Sequence, residues 1–202
     1  MTRRDNPFLV CTGRSCWPDL GQSAILGLGG SALSLQIVTK TKLTEQDKES
    51  LFRWGTDLWD NDRYALTWRS TDIHCVGYEE NVAVTQAGAC LHILNHESNE
   101  LRIGGLNGVI TRPEARGKGY GNLVVGAAEA HMRDEMDADF GMLFCHPELE
   151  PYYDSRGWVK VESPVTIVQP EGPRKTSHTV MVLAFRNAVW SDTPVVLNSL
   201  PW

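Results

Sequence analysis

Between residues 108 and 122 the chain reads Gly-Val-Ile-Thr-Arg-Pro-Glu-Ala-Arg-Gly-Lys-Gly-Tyr-Gly-Asn. Gly117, Gly119 and Gly121 alternate with other residues directly before a stretch of helical spacing. Without Cβ atoms they let successive backbone N–H groups turn towards one point. The start of a helix adds partial positive charge there, and Arg116 and Lys118 add full charges. Such a loop suits a pyrophosphate. Two other phosphate loops fit less well. The Walker pattern needs Gly-Lys-Ser/Thr after four intervening residues, and the dinucleotide fingerprint is GxGxxG, whereas the run here is GxGxG.

The elements that must hold this loop are readable on either side of it. Leu33, Leu35 and Ile37 alternate with polar neighbours and predict a first strand over Leu33–Thr39. Thr44 caps a helix with Glu45 and Asp47 in its first turn, and Leu51, Trp54 and Leu58 recur at helical spacing on its core side. A hairpin follows, with arms Asp72–Tyr78 and Val82–Leu94 around Glu79-Glu80-Asn81. Leu101–Thr111 is the strand that feeds the loop, and Gly104, Gly105 and Gly108 mark a bulge or a close backbone approach. Asn122–Met136 is the helix that leaves it. Phe140–Cys145 is a short buried strand, and Glu148–Ser155 a short helix ended by Arg156-Gly157. Trp158–Val168 and Thr179–Arg186 are two last strands around a turn with Pro170, Gly172 and Pro173. This order predicts a mixed α/β fold with a mostly antiparallel sheet of six to seven strands, flanked by helices. The domain runs over 33–186, after a poorly ordered extension (1–32) and before a tail (187–202).

At the loop and its surroundings the chain resembles the Gcn5-related N-acetyltransferase (GNAT) superfamily, the acyl-CoA N-acyltransferase fold. Arg116, Gly119 and Gly121 match that family's Arg/Gln-x-x-Gly-x-Gly/Ala loop, with Arg112-Pro113-Glu114 as its lead-in. Tyr153-Asp154-Ser155-Arg156-Gly157-Trp158 resembles the family's Tyr-x-x-x-Gly-aromatic ending. The resemblance implies acetyl-CoA as co-substrate and a primary amine as acceptor. It implies that loop 116–121, Tyr120 included, cradles the pyrophosphate. Backbone groups of Val109 and Thr111 would bind the pantetheine arm, and the Val109 amide would polarise the thioester carbonyl. Tyr153 would protonate the departing thiolate, since a phenol with a pKa near 10 keeps its proton at neutral pH.

Residues 143–176 and the final Trp202 resemble aminoglycoside 2′-N-acetyltransferases, a likeness that carries antibiotic resistance with it as an implied role. Two departures bear on the acceptor. Asn107 stands where that family has a glutamate, and an amide cannot act as a general base. Ser177-His178 replaces an acidic stretch. Both changes remove negative charge that a polycationic drug would need. His146, after the fifth strand and near where the sheet should splay, is the candidate that could replace the missing base. His178 could reach the same cleft but reads first as a solvated turn residue. Asp57, Asp60 and Asp62 read as a wet acidic loop bordering the acceptor groove. Cys145 reads as a buried thiol, Trp54, Trp59 and Trp158 as core, and Trp68 as a residue able to line the cleft.

Composition bounds the alternatives. The chain of 202 residues has a net charge of −6, which argues against a broad nucleic-acid surface and leaves room for a cationic substrate. Five cysteines, at 11, 16, 75, 90 and 145, form no CxxC pair, so no metal is expected and free thiols in a cytoplasmic protein are. Arg3-Arg4 lies too far from the mildly apolar run 23–38 for an export signal, and no stretch reaches the ~18 apolar residues of a membrane span. A homodimer through C-terminal strands is implied by the family resemblance. Two other readings keep the cofactor loop: a transferase for longer acyl groups or peptide amines, and an acyl-CoA sensor without catalysis.

Overall fold

The structure is a computed structural model that describes residues 35–55, 58 and 66–202. The extension 1–32, the start of the expected first strand, Cys11, Cys16, Asp57, Trp59, Asp60 and Asp62 lie outside the described residues.

Strand β1 is Gln36–Lys40 and helix α1 is Glu45–Phe52. The expected cap is present: the Thr44 hydroxyl accepts from the Asp47 amide, and the Asp47 carboxylate accepts in turn from Thr44. Burial would raise the Asp47 carboxyl. Bonds from Lys40 at 2.9 Å, Tyr78 at 2.7 Å and Thr44 outweigh it and hold the group at about 2. The cap thus ties α1 to the sheet it covers. Leu51 is fully buried against Val76, Ala83 and Ile110, while Trp54 and Leu58 pack beside it from beyond the helix end.

Strands β2 (Ile73–Glu79) and β3 (Val82–His96) form the expected hairpin. Glu80 and Asn81 both have positive φ, 50° and 65°, the conformation that a two-residue turn matching strand twist requires. Strand β4 (Asn99–Thr111) pairs antiparallel with β3, and β5 (Phe140–Cys145) pairs parallel with β4. Helix α2, Tyr120–Asp134, makes the crossover between them. It starts two residues earlier than expected, because Gly119 takes the cap position at φ 78° and brings Tyr120 and Gly121 into the first turn. Val124, Val125, Ala128 and Met132 are its buried face. Gly104 lets it sit close, since a Cβ there would stand 2.7 Å from Met132.

After helix α3 (Glu150–Asp154) the expected strand over 158–168 is divided. β6 (Val159–Lys160) pairs with β9 (Thr179–Ala184), whereas β7 (Val165–Gln169) leaves for a second sheet with β8 (Gly172–Lys175) and β10 (Val195–Val196). The break falls at Ser163-Pro164, where proline cannot donate to the ladder and the Asp192 carboxylate takes the Glu162 and Ser163 amides instead. The main sheet has seven strands in the order β1-β2-β3-β4-β5-β9-β6, all antiparallel except β4–β5. Residues 187–202 do more than trail behind it: β10 pairs parallel with β7, and Leu197 and Trp202 are buried on the sheet face away from α2. No helix among the described residues is long and apolar enough to cross a membrane.

Candidate active site

The site begins where two strands part. β4 and β5 stay in register from Ile103↔Phe140 to Leu106↔Leu143, and there the pairing ends. Beyond it a cleft of about 270 Å³ opens between Asn107, Gly108 and Val109 on one side and Phe144, Cys145 and His146 on the other. Its two walls differ, because neighbours on a strand face opposite ways. Leu106, Leu143, Cys145 and Tyr153 belong to the core beneath α2, while Phe144 and Trp202 belong to the opposite face. The cleft therefore runs through the sheet.

A bulge shapes the β4 side. Between the pairs Gly88↔Asn107 and Gln86↔Ile110, Gly108 and Val109 together oppose Ala87 alone. Gly108 takes φ 54°, and its carbonyl accepts a 2.7 Å bond from Gln86 Nε2. Gln86 is itself buried, and its Oε1 lies 3.0 Å from His74 Nδ1. The bulge releases Val109 from the ladder at the cleft edge. The glycines of β4 announce the bulge in the sequence. Gln86 carries no such local signal, because its partner lies across the strand pair, and sequence reasoning misses it.

The glycine loop leads from β4 into α2, with Gly121 facing the Thr111 hydroxyl and the Tyr152 hydroxyl. Gly117 and Gly119 have φ of 74° and 78°, and a Cβ on either would meet nothing within 4 Å. The first amides of α2 have no intrahelical acceptor. Together these make an open cradle of N–H groups, and the residues present fit a pyrophosphate. The side chains around it are more committed than their charges suggested. Lys118 Nζ pairs with Glu79 at 2.9 Å, and the buried Tyr120 donates to the same carboxylate at 2.7 Å. Tyr120 thus contributes its backbone to the loop and its ring to the core beside Val84 and Ala115. Arg116 Nε donates to the Thr111 carbonyl at 3.1 Å and its guanidinium lies 5.4 Å from the Trp54 ring centre. One lone pair of the Thr111 carbonyl is therefore already used.

Tyr153 is seated by its own motif. Trp158 N–H donates to the Tyr153 carbonyl at 3.1 Å and Gly157 N–H to that of Asp154 at 2.9 Å, with Gly157 at φ 87°. This is a Schellman ending, with the Trp158 ring packed edge-on to Tyr153 at 6.1 Å. Trp158 is fully buried, and its Nε1 and Arg156 both bind Glu129 of α2, at 2.8 and 2.6 Å. So the Tyr-x-x-x-Gly-aromatic pattern fixes a tyrosine against the cleft. Burial first, then Tyr152 and Cys145 nearby, push the Tyr153 hydroxyl well above its ordinary value, so it holds its proton.

The other expected residues gather at the same place. Asn107 lines the cleft, and its Oδ1 accepts from the Thr71 hydroxyl at 2.8 Å. His146 lines it too, 5.7 Å from the buried His178 between ring centres. Reading His178 as a solvated turn residue is thereby corrected: it closes the cleft opposite Trp68. Burial, then His146 and Arg174, lower its pKa to about 4, so it is neutral at pH 7. Cys145 is buried, with its thiol pushed up to about 12 by burial and then Glu150 and Glu148, which removes it as a nucleophile. Trp68 lines the cleft. No metal-holding cluster occurs among the described residues.

Residues 41–157 match the acetyltransferase (GNAT) family. An aminoglycoside 2′-N-acetyltransferase of Mycolicibacterium fortuitum is 23% identical over 150 residues, 73% of this chain and 76% of that protein. An acyl-CoA N-acyltransferase of Pseudomonas aeruginosa superposes with a TM-score of 0.50 at 21% identity, covering 75% of this chain and 100% of that one. A likeness at that identity speaks for the fold. With a parted β4–β5 pair, a glycine cradle at the start of α2 and the family match over more than half its length, the chain belongs to the acetyltransferase (GNAT) family and is an N-acetyltransferase that draws on acetyl-CoA.

Proposed function

We propose that the protein transfers an acetyl group from acetyl-CoA to a primary amine of a small molecule, with the reaction centred where β4 and β5 separate. The observation that carries this is the end of strand pairing at Leu106↔Leu143, with Tyr153 and His146 on the walls of the cleft and the glycine loop at the start of α2. Loop 116–121 would hold the pyrophosphate through amides of Gly117 to Gly121, Arg116 adding long-range charge. Bound there, acetyl-CoA supplies the activated acyl group. The Val109 amide, released by the bulge, would donate to the acyl oxygen as negative charge develops on it. His146 would accept the proton from the attacking amine, next to a His178 that remains neutral. As the C–N bond forms and the C–S bond breaks, the Tyr153 hydroxyl would give its proton to the sulfur.

Asn107 would position rather than abstract: its amide is held by Thr71 and has no acidic proton chemistry at neutral pH. That same substitution supports a second reading, an acyl-CoA-binding module without turnover. Thiol release from acetyl-CoA with a panel of primary amines, paired with mass spectrometry of the amine, separates the two. Stoichiometric thiol and N-acetyl product support the transferase. Binding of CoA with no product from any amine supports the module.

A further inference from the structure

The amine side of the cleft has walls of a definite chemistry, and the acceptor class they select rests on the transferase reading. On the face away from α2, three rings stand nearly perpendicular to their neighbours. Trp68 meets Phe144 at 77° with centres 6.3 Å apart, and Phe144 meets Trp202 at 81° and 5.5 Å. His178 closes on Trp68 at 88° and 5.4 Å. Trp68 and Phe144 are half-buried, so part of each ring remains open.

This corner is built rigidly. Trp202 Nε1 donates to the Met142 carbonyl at 3.0 Å, and its ring lies on Gly105, where any Cβ would collide with it. The loop carrying Trp68 is tied to the same segment, Arg69 N–H donating to the Pro201 carbonyl at 2.8 Å. Two nearby polar groups are engaged within the protein, whereas Asn107 Nδ2 and Trp68 Nε1 on the cleft lining have no hydrogen-bond partner among the described residues. The Thr71 hydroxyl is bound to Asn107, and the Arg69 guanidinium donates to the Leu91 carbonyl at 3.0 Å and lies 3.4 Å from Asp72. No Asp or Glu lines the cavity among the described residues. Its 270 Å³ lies under the roughly 300–1,000 Å³ common for drug-sized ligands, and the acyl end needs part of it.

We propose that the acceptor is a primary amine joined by a short arm to an aromatic ring, the ring seated in the corner of Trp68, Phe144 and Trp202. A flat ring meets perpendicular walls by offset and edge-to-face contact, and a preformed apolar corner costs little ordering on binding. Among the described lining residues a three-ring polycation would find no Asp or Glu side chain to pair with, in a cavity of about 270 Å³.

The test is steady-state thiol release by the full chain with acetyl-CoA and four probes: 2-phenylethylamine, tryptamine, ethylamine and tobramycin. The two aromatic amines are expected to give kcat/KM at least about tenfold above the other two, most of it in KM. Trp68→Ala should raise KM for 2-phenylethylamine about tenfold and shrink its preference over ethylamine, while Trp68→Phe keeps that preference. A melting curve on each variant identifies loss of folding, and the four-probe comparison on the wild-type chain stands without them. Tobramycin outrunning the aromatic amines, or ethylamine equalling them, overturns the aromatic acceptor and leaves the transferase reading standing. No thiol release with any amine overturns both.

Discussion

The Tyr120 hydroxyl donates a 2.7 Å hydrogen bond to the Glu79 carboxylate, the same group that pairs with Lys118 at 2.9 Å. The end of β2 is thereby tied to loop 116–121, and a negative charge sits against the loop's own lysine. The bond from Tyr120, then that from Lys118, keeps Glu79 below its ordinary pKa, so the charge is present at neutral pH. Glu79→Gln retains an acceptor for Tyr120 and removes that charge. It is expected to tighten CoA binding about two- to fivefold at low salt, the scale of one exposed ion pair, and to steepen the salt dependence. Titration of CoA at two ionic strengths checks this.

Tyr153 is held by the helix ending rather than by a side-chain hydrogen bond, so removing its hydroxyl should leave the cleft intact. Tyr153→Phe is expected to lower kcat roughly 100-fold with KM for acetyl-CoA changed less than about threefold. Stopped-flow thiol release and a CoA titration on the same preparation provide both quantities. An unchanged kcat would assign the proton donor elsewhere.

In the proposed reaction Gln86 would act through the Gly108 carbonyl it binds. Gln86→Leu keeps the volume and removes the 2.7 Å bond, leaving the bulge to relax. The expected result is a fall in kcat of about tenfold, the effect of a misaimed Val109 donor, with CoA affinity within about twofold of wild type. Gln86→Glu, which can still accept but cannot donate to a carbonyl, should behave like the leucine variant.

His178 makes stability depend on pH. Its folded pKa of about 4 lies below the ordinary 6.5. Between those values the unfolded chain holds a proton that the folded chain does not. Stability is therefore full above pH 6.5 and falls as the pH drops towards 4, by up to ~1 kcal/mol per pH unit. His178→Asn is expected to flatten that part of the curve. Urea melts at pH 7, 6, 5 and 4.5 on both proteins read it directly.

Most of the scaffold was legible because local chemistry decides it. The Thr44 cap, the Glu80-Asn81 turn and the Gly157 helix ending each solve a backbone problem with residues adjacent in sequence. The division of 158–168 was only half legible: Ser163-Pro164 interrupts the apolar alternation of Val159, Val161, Val165 and Ile167, but the Asp192 carboxylate that takes the Glu162 and Ser163 amides lies some thirty residues on. The same holds in the site. Loop 116–121 announces itself, whereas the engagement of Lys118 by Glu79 and of Gly108 by Gln86 depends on strand register. His178 read as solvated because its neighbours are polar, yet tertiary packing against Trp68 buries it.

The proposed chemistry, and with it the proposed acceptor, requires that the amides from Gly117 to Gly121 grasp the pyrophosphate of acetyl-CoA, with Gly119 free to hold φ 78° because it has no side chain. Gly119→Val introduces strain of about 1–2 kcal/mol and fills the open space above the loop. Isothermal titration of CoA into wild type and Gly119→Val reads that grip without any acceptor present. Saturable binding by wild type is expected, with a Kd raised roughly tenfold or more, about 1.4 kcal/mol, in the variant. No heat from wild type, or equal affinity in a variant that melts as a folded protein, would contradict it.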